Sequence, residues 1–265
     1  MIPARTEYAR AASIDDALEV LADPEAKALA GGQSLLPAMK LRLARPGLLV
    51  DIGRLDLSGI GTANGELRIG ALTTWDELAR SKSLRRPALA AVAECSAGIG
   101  DLQVRNCGTI AGSFAHADPA SDMPAVALAL GARVTLRSQD GERALGVDEL
   151  FVGPFATALA PGELITDVIV PAPPPGSGSA YASVEHPASG FALAGAAALV
   201  GPDGQTTLAV TGVAGRPFLL ADESDLSEAE ISGDRFAPAD YRRHLAQVLC
   251  RRVLDTARAR SEDDS

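Results

Sequence analysis

Ala30-Gly31-Gly32-Gln33-Ser34-Leu35-Leu36-Pro37 is the stretch whose reading decides the fold. It follows a short strand candidate at residues 27–30 and leads into the helical-looking Ala38-Met39-Lys40-Leu41-Arg42. Two adjacent glycines allow positive φ and let backbone N–H groups come close to a ligand. Such N–H groups at a helix start suit a diphosphate, and Ser34 offers a hydroxyl beside them. The same residues also make an ordinary tight turn before a capped helix. The spacing is neither G-x-G-x-x-G nor that of a P-loop, because no Gly-Lys-Ser/Thr follows. Outward from this point strands and helices mix irregularly, without the βαβ rhythm of a Rossmann domain. The fold class read from the sequence is α+β.

Upstream, Ser13 followed by Ile14, Ala17, Leu18 and Leu21 predicts a capped amphipathic helix. Downstream, Leu48-Leu49-Val50-Asp51-Ile52 reads as a short buried strand, and residues 66–71 alternate polar and apolar like a strand. Thr74-Trp75-Asp76-Glu77 matches a capping box, so a helix starts there. Another helix is expected from Pro87 through Ala93 to its stop at Gly98. Asp140-Gly141 between two strand-like runs is a hairpin signal. The run Pro171-Ala172-Pro173-Pro174-Pro175-Gly176-Ser177-Gly178-Ser179 excludes helix and central strand and reads as a linker. Beyond it come strand-like segments at 192–200 and 208–213, with a turn at 201–204. A helix from Asp240 follows, with Leu245, Val248, Leu249 and Val253 on one face, and residues 261–265 read as a frayed tail.

A second small-residue loop runs from Gly108-Thr109-Ile110-Ala111-Gly112-Ser113 to Asp118-Pro119-Ala120-Ser121-Asp122. Its hydroxyls and glycines could press backbone against a phosphorylated or flat ligand. Asp122 could accept hydrogen bonds from sugar hydroxyls. A surface loop capping a buried, alanine-rich helix at 123–130 fits the same residues.

The bulk properties narrow the function classes. The net charge of −10 disfavours nucleic acid, whose recognition needs clustered Lys and Arg. No apolar run reaches the ~18 to 20 residues needed to span a bilayer, and the start of the chain lacks a signal pattern, so a cytoplasmic protein is expected. Cys95, Cys107 and Cys250 form no disulfide framework and no C-x-x-C pair, so any iron–sulfur cluster is expected on another polypeptide. Aromatics are only 4%, which leaves the core to Ala, Val, Leu and Ile.

Gly31-Gly32-Gln33-Ser34 with Leu36-Pro37, then Gln103-Val104-Arg105-Asn106-Cys107-Gly108-Thr109-Ile110-Ala111-Gly112-Ser113 and Ala117-Asp118-Pro119, resembles the medium subunit of the carbon monoxide dehydrogenase and xanthine dehydrogenase family. Leu67-Arg68-Ile69-Gly70-Ala71 with Thr73-Thr74, Thr157-Ala158-Leu159 with Pro161-Gly162-Glu163-Leu164, and Tyr241-Arg242-Arg243-His244-Leu245 continue the resemblance in order over nearly the whole chain.

The resemblance implies a PCMH-type FAD-binding domain over residues 1–171, built of two α+β subdomains at roughly 1–55 and 56–171. A smaller C-terminal domain with an antiparallel sheet and helices would occupy 178–262. It implies one FAD, with Ala30, Gly31, Gly32, Gln33, Ser34 and Leu35 around the diphosphate. Thr109, Gly112 and Ser113 would form a second phosphate-side loop, Asp122 would bind sugar hydroxyls, and Leu164 would be an apolar neighbour. It further implies an electron-transfer oxidoreductase subunit without catalytic or metal-ligating residues of its own. The partners would be a large molybdenum-cofactor subunit, a small [2Fe–2S] subunit and an external electron acceptor, in a dimer of three-subunit units.

Two departures stand out. Ala111 occupies a place where a second consecutive glycine is common, and Ser183-Val184-Glu185-His186-Pro187 lacks the Lys or Arg frequent in that segment, leaving only His186 to supply a cation. The other functional readings are a stand-alone flavoenzyme reducing a small molecule and an assembly module without cofactor.

Among the remaining candidates, His116 either orients the second loop or meets a ligand. His244, Trp75 and Cys107 read as a helix-surface residue, a packing aromatic and a small buried thiol. The Arg85-Arg86 and Arg251-Arg252 pairs read as solvated faces.

Overall fold

The computed structural model describes residues 2–63 and 65–263. The chain begins with β1 (Glu7–Arg10), α1 (Ile14–Leu21), β2 (Ala26–Leu29), α2 (Leu35–Lys40) and β3 (Leu48–Asp51). The Ser13 hydroxyl accepts the Asp16 N–H at 3.1 Å and starts α1, as the sequence predicts. Leu18 and Ala17 on its inner face are buried, and the three strands pair in parallel in the order β1-β3-β2. Helix α2 ends at Lys40, earlier than expected. Arg42 stands at φ 60°, in the left-handed region that closes the helix.

The middle of the chain supplies β4 (Ile60–Ala63), β5 (Glu66–Gly70), α3 (Trp75–Arg80), α4 (Ala90–Gly98), α5 (Leu102–Cys107), α6 (Ile110–His116) and α7 (Met123–Ala129). After these come β6 (Arg133–Ser138), β7 (Gly141–Gly146), α8 (Val147–Leu150), β8 (Phe151–Gly153), β9 (Ala156–Thr157) and β10 (Leu164–Val170). The five-stranded sheet runs β4-β5-β10-β6-β7 and is antiparallel throughout. Both halves of the expected capping box at Thr74 and Glu77 form. Phe114, Leu136, Leu150 and Ile69 are fully buried between this sheet and its helices.

The last part contains β11 (Gly178–Glu185), β12 (Ala192–Val200), β13 (Thr206–Thr211), β14 (Phe218–Leu220) and α9 (Ala239–Asp263). Four antiparallel strands follow in chain order, and α9 lies across them. Small residues make this packing close. A Cβ on Gly178 would sit 2.1 Å from the Ala257 carbonyl oxygen, so α9 rests on bare backbone there.

Three further expectations change. Strand β11 begins inside the proline-rich run, because Ser179 is buried, takes the Ala91 N–H at 3.1 Å and donates to the Pro87 carbonyl at 3.3 Å. Val248 is exposed on α9, whose inner face is instead Ala246, Leu249, Cys250, Val253 and Ala257. The helix continues through Asp263, so 261–263 are not a frayed tail, and 264–265 lie outside the described residues. The fold is α+β, with three sheets of three, five and four strands and a two-stranded β8-β9 hairpin among the described residues.

Candidate functional site

The first glycine loop and the junction between α5 and α6 touch through backbone. A Cβ on Gly31 would lie 1.9 Å from the Cys107 carbonyl oxygen and 2.9 Å from the Gly108 Cα. Gly32 adopts φ +69°, and a Cβ there would meet the Leu36 side chain at 2.9 Å. Both glycines are therefore required by geometry, one for close approach and one for conformation.

The resulting turn leaves donors unclaimed. Among the described residues, the N–H groups of Gly31, Gly32, Gln33, Ser34 and Leu35 carry no intrachain hydrogen bond, and the Ser34 hydroxyl makes no capping bond. Successive free amides next to a left-handed glycine have the make-up of an anion nest.

The second loop is built differently. Ile110 N–H donates to the Thr73 carbonyl, Ala111 N–H to Ala71, Gly112 N–H to the Thr109 hydroxyl at 3.2 Å and Ser113 N–H to the Thr109 carbonyl. Thr109 is the N-cap of α6, and the Ser113 and Ser121 hydroxyls pair at 2.8 Å. With these amides engaged, the loop presents hydroxyls and a Cβ-free surface at Gly112 more than free N–H groups.

A cavity of about 420 Å³ lies between these loops, within the range of small-molecule sites. Ala30, Gly31, Gly32, Gln33, Ser34, Leu35, Thr109, Gly112, Ser113, Asp122 and Leu164 all line it. Leu164 is buried at the start of β10 and supplies apolar wall. Asp122 is 9% exposed, and its Oδ1 accepts the hydroxyl of Tyr181 from β11. Burial pushes the Asp122 carboxyl up to about 6, against the Tyr181 hydrogen bond and with help from Glu185 and Asp118.

Several lining residues escape the sequence reading. Trp75, read as packing, is buried and also forms wall, its Nε1 2.8 Å from where a Gly108 Cβ would be. Lys27, exposed on β2, also borders the cavity. Ser189, Gly190 and Phe191, in the turn between β11 and β12, close one side, and Gly190 at φ +71° approaches Gly100. The sequence marks this turn only through Pro187 and the Ser189-Gly190 pair, which say nothing of a cavity.

His116 lines the cavity and packs on Phe155 with ring centroids 5.3 Å apart. His186 does not line it. Its Nδ1 accepts the Ala188 N–H at 3.2 Å, and its ring meets Phe236 edge-on at 4.6 Å, so the substitute cation imagined there is absent from the cavity wall. Cys107, expected as a buried thiol, is exposed, because only its carbonyl faces Gly31. Among the described residues no helix is long and apolar enough to cross a membrane.

A family model described as the FAD binding domain in molybdopterin dehydrogenase matches residues 4–173. The chain is 44% identical over 208 residues to the 6-hydroxypseudooxynicotine dehydrogenase complex subunit alpha of Paenarthrobacter nicotinovorans, covering 77% of this chain and 70% of that one. It is 36% identical to the carbon monoxide dehydrogenase medium chain of Afipia carboxidovorans, over 99% of this chain and 100% of the relative. Among solved structures, a carbon monoxide dehydrogenase chain from Hydrogenophaga pseudoflava superposes with a TM-score of 0.93 at 34% identity, covering 98% and 99% of the two chains.

Proposed function

The chain belongs to the family of FAD-binding medium subunits of molybdenum hydroxylases, and on that premise we propose that it holds FAD as an electron relay. In this reading electrons arrive from [2Fe–2S] clusters on a small partner subunit and leave to an external acceptor. A large molybdenum-cofactor subunit carries out the substrate chemistry. The relatives' names, medium chain and complex subunit alpha, support a multi-subunit setting.

The observation that carries the proposal is the free amide run from Gly31 to Leu35 at one end of the cavity. These donors fit a diphosphate, with Lys27 adding positive charge where it borders the cavity. Thr109, Gly112, Ser113 and Asp122 border the same space, and in this reading Asp122 accepts sugar hydroxyls. Leu164, Ile165 and Trp75 provide apolar wall for a flat ring system. Bound FAD supplies a redox centre able to take electrons singly and release them in pairs. The protein's own part is to bind, orient and shield it. No side chain is assigned a covalent or proton-transfer role.

The domain division at 1–171 and 178–262 is part of the same proposal. The strands β11–β14 pair only with one another, and this together with a separate apolar cluster under α9 supports it.

The test is reconstitution. The isolated chain, supplied with FAD, should acquire a flavin spectrum and, mixed with its two partner subunits, restore electron flow to an artificial acceptor. A chain that takes up FAD without accepting electrons from a reduced iron–sulfur partner would remove the relay role.

A further inference from the structure

The loop carrying Asp122 is tied to the C-terminal sheet as well as to Ser113 of α6. The Thr211 hydroxyl donates to the Ser121 carbonyl at 2.6 Å and lies 3.1 Å from the Pro119 carbonyl. Gly212 N–H donates to the Pro119 carbonyl at 3.0 Å. Tyr181 completes the clamp through its hydroxyl to Asp122 Oδ1.

The neighbouring strand makes room for that phenol. A Cβ on Gly195 of β12 would stand 2.6 Å from the Tyr181 hydroxyl oxygen. Asp122 is the N-cap residue of α7 yet gives its helix no side-chain hydrogen bond. No other described residue donates a hydrogen bond to Oδ2, and Asp122 lines the cavity.

We infer that Tyr181 is a positioning residue of the flavin site, whose hydroxyl fixes Oδ1 of Asp122 so that Oδ2 accepts a hydroxyl from the ligand's sugar chain. The inference rests on reading the cavity as the FAD site. It adds that the C-terminal sheet, and not only the glycine loops, sets the affinity.

A pH dependence follows. The groups facing Asp122 are Tyr181 and Glu185 on β11, Asp118 in its own loop and Cys95 on α4, and His116 lines the same cavity. Burial holds the carboxyl near 6, while the Tyr181 hydrogen bond pulls it down. As pH falls through that value, Oδ2 ceases to be an acceptor-only oxygen and the ligand loses a charge-assisted hydrogen bond.

FAD affinity is measured by fluorescence titration of the apo-chain from about pH 5 to about pH 9. The wild type is expected to weaken on the acid side with a midpoint near 6. Tyr181→Phe should move that midpoint up by about one pH unit, since the hydrogen bond that favours the carboxylate is gone. Asp122→Asn should flatten the step attributable to this group. Gly195→Ala, which crowds the phenol oxygen without removing it, should move the midpoint the same way and serves if Tyr181→Phe does not fold.

Wild-type midpoints in both variants, with FAD still bound, would overturn the positioning role. Failure of the wild type to bind FAD at any pH would remove the site itself, a distinguishable result.

Discussion

Gly31 and Cys107 meet with no room for a side chain between them, since a Cβ on the glycine would sit 1.9 Å from the cysteine's carbonyl oxygen. Because that oxygen belongs to backbone, it cannot move aside like a flexible side chain. Gly31→Ala should therefore push the first loop away from the α5–α6 junction, costing about 1 to 3 kcal/mol. Loss of FAD from the purified protein, read from its visible spectrum, should accompany a lower melting temperature. Gly61→Ala, where a Cβ meets nothing within 4 Å, is the matched control and should retain FAD.

Thr109 caps α6 by accepting the Gly112 N–H at 3.2 Å. Thr109→Val keeps the shape and removes the acceptor, for a loss of about 1 kcal/mol in urea denaturation. Thr109→Ser should recover most of it, because the hydroxyl returns. Equal losses in both would show that the methyl group, not the cap, matters.

The stability of the apo-chain should run opposite to its ligand affinity at Asp122. The buried carboxyl is raised from 3.8 to about 6, so the folded state binds its proton more tightly than the unfolded chain does. Its contribution is fully present below about pH 4 and is lost as pH rises through about 6, a difference of about 3 kcal/mol at neutral pH. Asp122→Asn should raise the melting temperature of the apo-chain at neutral pH. The gap should shrink on acidification. A gap that is constant with pH would contradict this account.

The three cysteines should separate by reactivity. Cys107 is exposed, whereas Cys95 and Cys250 are buried, and burial pushes the Cys250 thiol up to about 12 and Cys95 well above its usual range. A thiol reagent added to native protein should label Cys107 rapidly and the other two only after unfolding. Peptide mapping of the label checks the assignment.

Arg242 ties α9 to the C-terminal sheet. Its guanidinium, 8% exposed, donates to the carbonyls of Leu193 at 2.8 Å and Gly212 at 2.6 Å and pairs with Asp234 at 2.7 Å. Arg242→Met leaves those carbonyls without a donor and should cost about 3 kcal/mol. Arg242→Lys should not restore it, since an ammonium cannot span the forked set of acceptors. Chemical denaturation of the three proteins tests the ranking.

Features controlled by local chemistry were legible in the sequence. Ser13 and Thr74 cap helices because their hydroxyls reach amides three residues on, and Gly141 turns a hairpin at φ 141°. The glycines at 31, 32 and 112 marked loops that do meet at one cavity. Features set by distant docking were not legible. β1 and β4 are four-residue strands whose pairing is decided by their neighbours, with no alternation strong enough to announce them. Cys107 is exposed because its carbonyl, not its thiol, is drawn to Gly31. Trp75 packs and lines the cavity at once, two roles that a lone aromatic cannot separate on paper.

The turn carrying Ser189, Gly190 and Phe191 has a consequence for the birth of the protein. The cavity wall joins residues near 30 to residues near 190, and the clamp on Asp122 reaches Thr211. During synthesis the glycine loops emerge first and wait, half-walled, until the ribosome has released the strands that close them. Contacts so distant in sequence are made late in folding. Uptake of FAD by ribosome-bound chains of increasing length is expected only once the C-terminal sheet has been made.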